Sequence, residues 1–438
     1  MLAVPILLVG GLMSSSLRAA DIEVCSDNLP SPIVWSVAVD RLVRCNLDVR
    51  LASNAVAGAR AERIISGQIA NPQASFGAGS INTQKGVKGG HQDYQVDWLA
   101  RIDQLIERGG KRSLRIAQSE SGLLASRWMA AESRRTSLLA LSHAWSELWA
   151  SRQREALLES ALLDFRRIEE VSRIRFDAGD IAQADHARVV IDLQRIENEQ
   201  AQARSDRLRV QQILAFLLAL AAPPADLEIA GPWPALSAGF PEVDAVSMRP
   251  EIAAARAQVE RFKSARELAR SLTTRDVSVG LQANRFPAPA GDGNTVGLYI
   301  SIPLYAWHRH EGELAKAETD VTAAMTNLQQ LEQQGQIQNA AILQERDIAW
   351  TRWRRLRDNA LPLGERLSSS IRIAYEQRAI SLLDMLDSLR VYRLLQSDVL
   401  DAQLQYEKSD AVARALLRIS PQADDPVFRF VSVPETQP

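Results

Sequence analysis

Apolar positions along this chain recur in two periods, and the switches between them predict the architecture. Over residues 32–66 apolar side chains (Val39, Leu42, Val43, Val49, Val56) recur at helical spacing among good helix formers. Asn71-Pro72 stops that pattern, and a period of two takes over. Ala74, Phe76 and Ala78 alternate with Ser75, Gly77 and Gly79. After a glycine-rich polar loop at 85–92, Tyr94, Val96, Trp98, Ala100 and Ile102 alternate with Gln95, Asp97, Leu99, Arg101 and Asp103. The pattern predicts a hairpin of two strands, over 73–82 and 93–104. Each is about ten residues long, the length that crosses a bilayer when tilted.

Gly109-Gly110-Lys111-Arg112 ends the hairpin, and up to about residue 175 Gly122 is the only breaker. Roughly sixty helical residues at ~1.5 Å each reach about 90 Å, which predicts a coiled-coil-like rod. Residues 173–185, RIRFDAGDIAQAD, contain Gly179 and read as the tip of an α-hairpin, with the turn over 176–181. A second long helix returns over 181–220, and its apolar end at 213–222 (ILAFLLALAA) is expected to pack as core. Residues 223–250, with Pro223, Pro224, Pro232, Pro234, Pro241 and Pro250, read as a connector in which Trp233 is a packing anchor.

The chain then repeats itself. Phe176 matches Tyr375 and Ile181 matches Ile380 at a constant offset of 199 (375 − 176 and 380 − 181). Upstream, residues 56–77 echo 259–280 at an offset of 203 (259 − 56). Two tandem units follow, over 21–222 and 251–420. The second unit carries strands at 276–285 and 295–304 and a long helix from 311 that Gly335 weakens and Pro362 interrupts. Its tip lies at 375–381, where Arg378-Ala379 in place of glycine predicts a wider turn. The tail, 421–438, is Pro-rich, polar and expected to be disordered.

Each unit supplies two strands with one apolar and one polar face. A soluble protein would pack such a sheet on helices, but amphipathic rods leave no broad apolar face to cover it. With lipid on the apolar side, every strand edge must pair and the sheet must close. Four strands cannot close, since membrane barrels need about eight or more. Three copies would supply twelve. The competing reading is a soluble periplasmic coiled-coil adaptor or scaffold without a channel.

Composition narrows the field. A formal net charge of −2 over 438 residues gives no electrostatic case for nucleic acid. The apolar run near the N-terminus fits a signal peptide over 1–20, although no basic residue precedes it. Export makes a Cys25–Cys45 disulfide possible, with two free thiols the alternative. His308 and His310 flank Arg309 after a strand end, but with no acidic or thiol partner evident they make a poor metal site. Trp98, Tyr305 and Trp307 are candidates for aromatics at a membrane interface. There is no phosphate-cradling glycine loop, nucleophile elbow or HExxH motif, so no catalytic residue, cofactor or enzymatic role is expected.

The order of helix, strand hairpin, GGKR junction, long helix, FDAGDI tip, return helix and Pro-rich connector, given twice, resembles the outer-membrane efflux protein (TolC-like) family. Residues 300–318 (ISIPLYAWHRHEGELAKAE) are similar to its strand-to-helix junction, and 248–259 (MRPEIAAARAQV) to its second-repeat opening. The resemblance covers about residues 45–417, and the GGKR junction is similar to the heavy-metal (CzcC/CusC-like) branch. It implies a mainly α fold with a membrane β-barrel portion: a homotrimer with a shared 12-stranded barrel that continues into a periplasmic α-helical tunnel. It further implies an exit duct in the outer membrane of a Gram-negative bacterium, working with a periplasmic adaptor and an inner-membrane efflux pump. Phe176, Gly179 and Ile181, with Tyr375, Ile380 and Ser381, are then adaptor-docking tips. Asp384 and Asp387, three apart on one helix face, would form stacked carboxylate rings at a cation-favouring aperture. The plainer role of Asp384 is an early-turn residue favoured by the helix dipole. Asp185 and Arg188 hold the matching places in the first unit, where they are expected to form a surface pair of little weight.

Overall fold

The computed structural model describes residues 25, 29–79, 96–221, 226–233, 249–286, 293–377 and 379–417. The predicted signal peptide, the predicted disordered tail, the 85–92 loop and most of the connector lie outside the described residues. In chain order the elements are α1 (Trp35–Cys45), α2 (Leu47–Ser66), β1 (Gln73–Gly79), β2 (Asp97–Ile106), α3 (Lys111–Asp177), α4 (Gln183–Leu217), α5 (Pro250–Ser271), β3 (Val277–Phe286), β4 (Gly293–Ser301), α6 (Glu311–Arg355), α7 (Leu361–Glu376) and α8 (Leu382–Leu417).

The single helix expected over 32–66 is broken at Asn46. Its side chain accepts hydrogen bonds from the amides of Asp48 (3.0 Å) and Val49 (3.2 Å), which caps α2 and ends α1. The Asn46 amide group also donates to the Leu217 carbonyl (3.0 Å), and Arg41 Nε to the Leu218 carbonyl (2.7 Å). The open end of α4 is thereby closed by α1. The second long helix is not interrupted at Gly335, which α6 buries. Pro362 does not end it either: one π-helical turn, Leu356–Ala360, precedes the proline, and α7 continues directly. A widened turn accommodates a residue that cannot donate its amide and whose ring crowds the carbonyl four positions back.

The four strands form one antiparallel sheet in the order β1-β2-β3-β4. The helices attached to them pack in the same order: α2 on α3, α3 on α5, and α5 on α6. Since β1 follows α2, β2 precedes α3, β3 follows α5 and β4 precedes α6, a sheet of strands is continued by a layer of helices. Farther along, α4 packs on α3, and α8 packs on α3, α6 and α7.

The main core lies where the helical layer meets the connector. Trp35 meets Trp145 and Trp233 edge-on at 5.3 and 4.6 Å, among Leu42, Leu138, Leu141, Leu148 and Leu214. Trp233, 2% exposed, is the anchor its flanking prolines predicted. The apolar stretch at 213–222 is only half core. Leu214, Ala215, Leu217 and Leu218 are buried, whereas Phe216 is 65% exposed. Cys25 and Cys45 are joined in a disulfide, which ties the N-terminal segment to the end of α1.

A buried charge network holds α6 against α8. Asp410, fully buried, pairs with Arg346 (2.8 Å) and Arg414 (2.9 Å) beside Tyr406, Trp350 and Trp353. Replacing Asp410 with alanine removes the buried carboxylate that both guanidinium groups share, so thermal or denaturant unfolding should show a loss of about 3–5 kcal/mol. One helical turn earlier, burial pushes the Glu407 carboxyl from 4.5 up to about 7. Between those values the folded chain keeps a proton that the unfolded chain has released, so this contribution falls as pH rises and is lost above about 7. Glu407→Gln, which stays neutral, should therefore stabilise the protein at pH 8 by up to roughly 3 kcal/mol and change little at pH 5. Melting curves of both proteins at the two pH values check this.

Candidate channel wall and hairpin tips

The strand register gathers the alternating residues of four strands onto two faces. Phe76, Ala100, Ala283 and Val296 lie in one row across the sheet, and Ala74, Ile102, Leu281 and Leu298 in another. On the opposite face Ser75, Arg101, Gln282 and Gly297 align, as do Gln73, Asp103, Gly280 and Tyr299. The four strands observed run over slightly different spans from those predicted, but the apolar and polar sets are the predicted ones.

Exposure runs opposite to a soluble sheet. Phe76 is 84% exposed, Val296 81%, Leu298 69% and Leu281 63%, and among the described residues no helix covers these side chains. Along β2 the polar-face residues are the more covered ones. There the Arg101 guanidinium lies 3.3 Å above the Tyr299 ring and pairs with Asp103 at 2.7 Å. Gly280 makes room for this cluster. A Cβ at Gly280 would sit 2.8 Å from the Ile102 carbonyl oxygen and would collide with the Asp103 carboxylate. Gly280→Val should push β3 away from β2 and destabilise the sheet by about 1–3 kcal/mol, read as earlier loss of the β-strand circular-dichroism signal on heating.

Aromatic side chains mark both ends of the strands. Trp98, 60% exposed, pairs with Ala78 and Arg285 near the hairpin loops. Trp307, 98% exposed, stands beyond β4 on the helical side.

At the other pole the two tips lie side by side. The first closes with a Schellman motif: Gly179, at φ +78°, donates to Phe176, and Asp180 to Arg175 (2.8 Å). Phe176 stacks on His186 at 5.3 Å, and the Ser172 hydroxyl meets His186 Nδ1 at 3.2 Å, so the imidazole pins the first turn of α4 to α3. Ile181 is half-buried in the turn. The second tip is not wider. Ala379 donates to Ala374 at 2.8 Å, the counterpart of the Asp180–Arg175 bond 199 residues earlier (379 − 180). Arg175 donates to the Tyr375 hydroxyl (3.0 Å), joining the tips, and Ile380 is half-buried beyond it. Arg390 and Asp192, at 2.9 Å, tie α8 to α4 just behind.

Asp384 and Asp387 are both exposed on α8. Asp384 has a structural task. Its carboxylate accepts from the Ser381 hydroxyl (2.7 Å), and the Ser381 hydroxyl accepts from the Asp384 amide (3.2 Å), a capping box at the start of α8. The first unit lacks this cap, because Ala182 stands where the second has Ser381. Asp185 and Arg188 pair at 3.7 Å on the surface.

His308 and His310 do have an acidic partner. Glu313, one turn into the next helix, takes contacts from His308 Nε2 at 2.8 Å and His310 Nδ1 at 3.2 Å on the same carboxylate oxygen. The sequence distance of five residues hides this, because the partner reaches back from α6 across a left-handed turn at His310 (φ +63°).

The sequence matches no protein-family model and no curated protein sequence. Solved structures do match. The Campylobacter jejuni CmeC outer membrane channel superposes with a TM-score of 0.73 at 16% identity, covering 89% of this chain and 86% of that one. The Vibrio cholerae outer membrane protein VceC gives a TM-score of 0.71 at 16% identity, covering 86% and 95%. CusC, a protein that forms a transmembrane channel, gives 0.71 at 15% identity, covering 86% and 91%. The chain has the fold of these outer-membrane channels over most of its length.

Proposed function

We propose that this chain is the outer-membrane exit duct of a tripartite efflux system, acting as a homotrimer. The observation that carries the reading is the strand order matched by the helix order, with both edges of the layer open. Among the described residues, β1 and β4 each have one unpaired side. Lipid cannot satisfy those backbone groups, so β4 of one copy must pair with β1 of the next. Three copies close a barrel of twelve strands, with the apolar rows facing lipid and the Arg101–Asp103–Tyr299 side facing the lumen. The helical layers then continue it as a tunnel. A soluble adaptor would have no use for a sheet whose apolar residues are its most exposed. The disulfide fits an oxidising periplasm, and the likeness in fold to outer-membrane channels supports the same placement.

In this reading the paired tips, with Phe176, Gly179 and Ile181 beside Tyr375, Ile380 and Ser381, are where a periplasmic adaptor docks and couples the duct to an inner-membrane pump. Asp384 and Asp387 ring the narrow end. Asp384 serves both its cap and the ring, since the capping box engages only one of its oxygens. Single-channel recording in planar bilayers tests the assignment. Wild-type protein should give cation-selective channels, and Asp387→Ala combined with Asp384→Asn should raise conductance and relieve block by divalent cations. Wild-type conductance and block in the double variant would remove these residues from the aperture, and the absence of any channel would overturn the duct.

A further inference from the structure

The connector from β4 to α6 brings together His308, His310 and Glu313. One ligand atom from each lies within 4.8 Å of the other two. Two imidazole nitrogens converge on one carboxylate oxygen, at 2.8 and 3.2 Å. The two rings are 4.5 Å apart between centroids, and the His310 ring is held edge-on by Tyr305 at 5.2 Å. Arg275 lies over the far partner, Tyr305, at 5.7 Å, and Lys316 is engaged by Asp320 at 2.7 Å. Arg309, between the histidines in sequence, is exposed.

This spacing is close to what a metal ion needs. A tetrahedral cation with nitrogen and oxygen ligands at about 2.0–2.2 Å holds those ligands roughly 3.3 Å apart. The two contacts to Glu313 have to open by a few tenths of an ångström and the two imidazole nitrogens, within 4.8 Å of each other, to draw together, with the shared protons replaced by the cation. Two imidazoles and a carboxylate suit a divalent first-row transition metal better than calcium or magnesium, which take oxygen ligands. The placement adds a reason. His310 precedes α6 in a left-handed conformation and supplies no side-chain cap, so the entry to that helix is held at this cluster, where a cation would replace the two contacts to Glu313.

We propose that His308, His310 and Glu313 form a divalent transition-metal site that clasps the β4–α6 connector to the first turn of α6, with water completing the coordination. The site belongs to the wall of the protein, at the collar between sheet and helices, and does not depend on what the channel carries. It fixes the residues on either side of Trp307, the fully exposed aromatic in the same connector.

Zinc titration by calorimetry tests the site, using full-length protein in detergent with no polyhistidine tag. One zinc ion per chain is expected, and Co2+ in its place should give the visible absorption of a four- or five-coordinate site. Loss of an outer-shell partner already weakens metal sites by about 10–100-fold, so loss of a direct ligand in His308→Ala or Glu313→Gln should cost no less. Hydrogen exchange should slow over 304–313 on adding zinc to wild type and not to either variant. Both substitutions are at exposed positions, so unchanged melting curves confirm that folding is intact. Undiminished zinc affinity in both variants, or no stoichiometric zinc binding by wild type, overturns the proposal. A positive or negative result leaves the channel reading standing, because conductance is measured separately.

Discussion

Among the described residues β1 and β4 each have one unpaired side, and this is the constraint on which the rest of the account depends. An exposed sheet edge is a row of unmet hydrogen-bonding groups, tolerable in water and untenable in lipid. Here the edges bound a sheet whose apolar face is open, with Phe76 and Val296 more than four-fifths exposed. In the proposed reading a lone protomer is therefore incomplete. The helical layer has the same open form, since α2 and α6 flank it just as β1 and β4 flank the sheet. In the proposed trimer one closure operation would satisfy both layers, in keeping with the shared order of strands and helices.

Much of the rest serves to keep this layer in register. Gly280 gives up its side chain so that Arg101, Asp103 and Tyr299 can pack on the polar face. Asp410 with Arg346 and Arg414 pins α8 to α6 through buried ion pairs. At the far pole, Arg175 to Tyr375 and Arg390 to Asp192 bind the first unit to the second through polar contacts. Polar contacts of this kind can be exchanged for water at modest cost, whereas a packed apolar seam cannot. Behind the tips these polar contacts stand beside an apolar cluster of Leu162, Phe165, Val189, Ile196 and Leu386 that joins α8 to α3 and α4.

The architecture was legible in the sequence because it rests on period and repetition. Alternation at Trp98–Ala100–Ile102 and Leu281–Ala283 placed the apolar face correctly, and the 199-residue echo (375 − 176) located both tips. What escaped was local and compensated. Asn46 splits a helix through a side-chain cap that no apolar pattern reveals. Pro362 is absorbed by a π-turn. The second tip closes without glycine by the same backbone bond as the first. Of the site residues, Asp384 is predicted from sequence as an early-turn or aperture residue and not as a cap, although the S-x-x-D spacing from Ser381 is the signal for one. Glu313 was missed as a partner of His308 and His310 because the turn that brings it back lies between them.

The central claim is that the open layer closes only between copies. Native mass spectrometry of detergent-extracted protein tests it most directly. The account predicts a trimer that resists dilution and is recovered from the membrane fraction. A monomer that stays folded and soluble without detergent would contradict it.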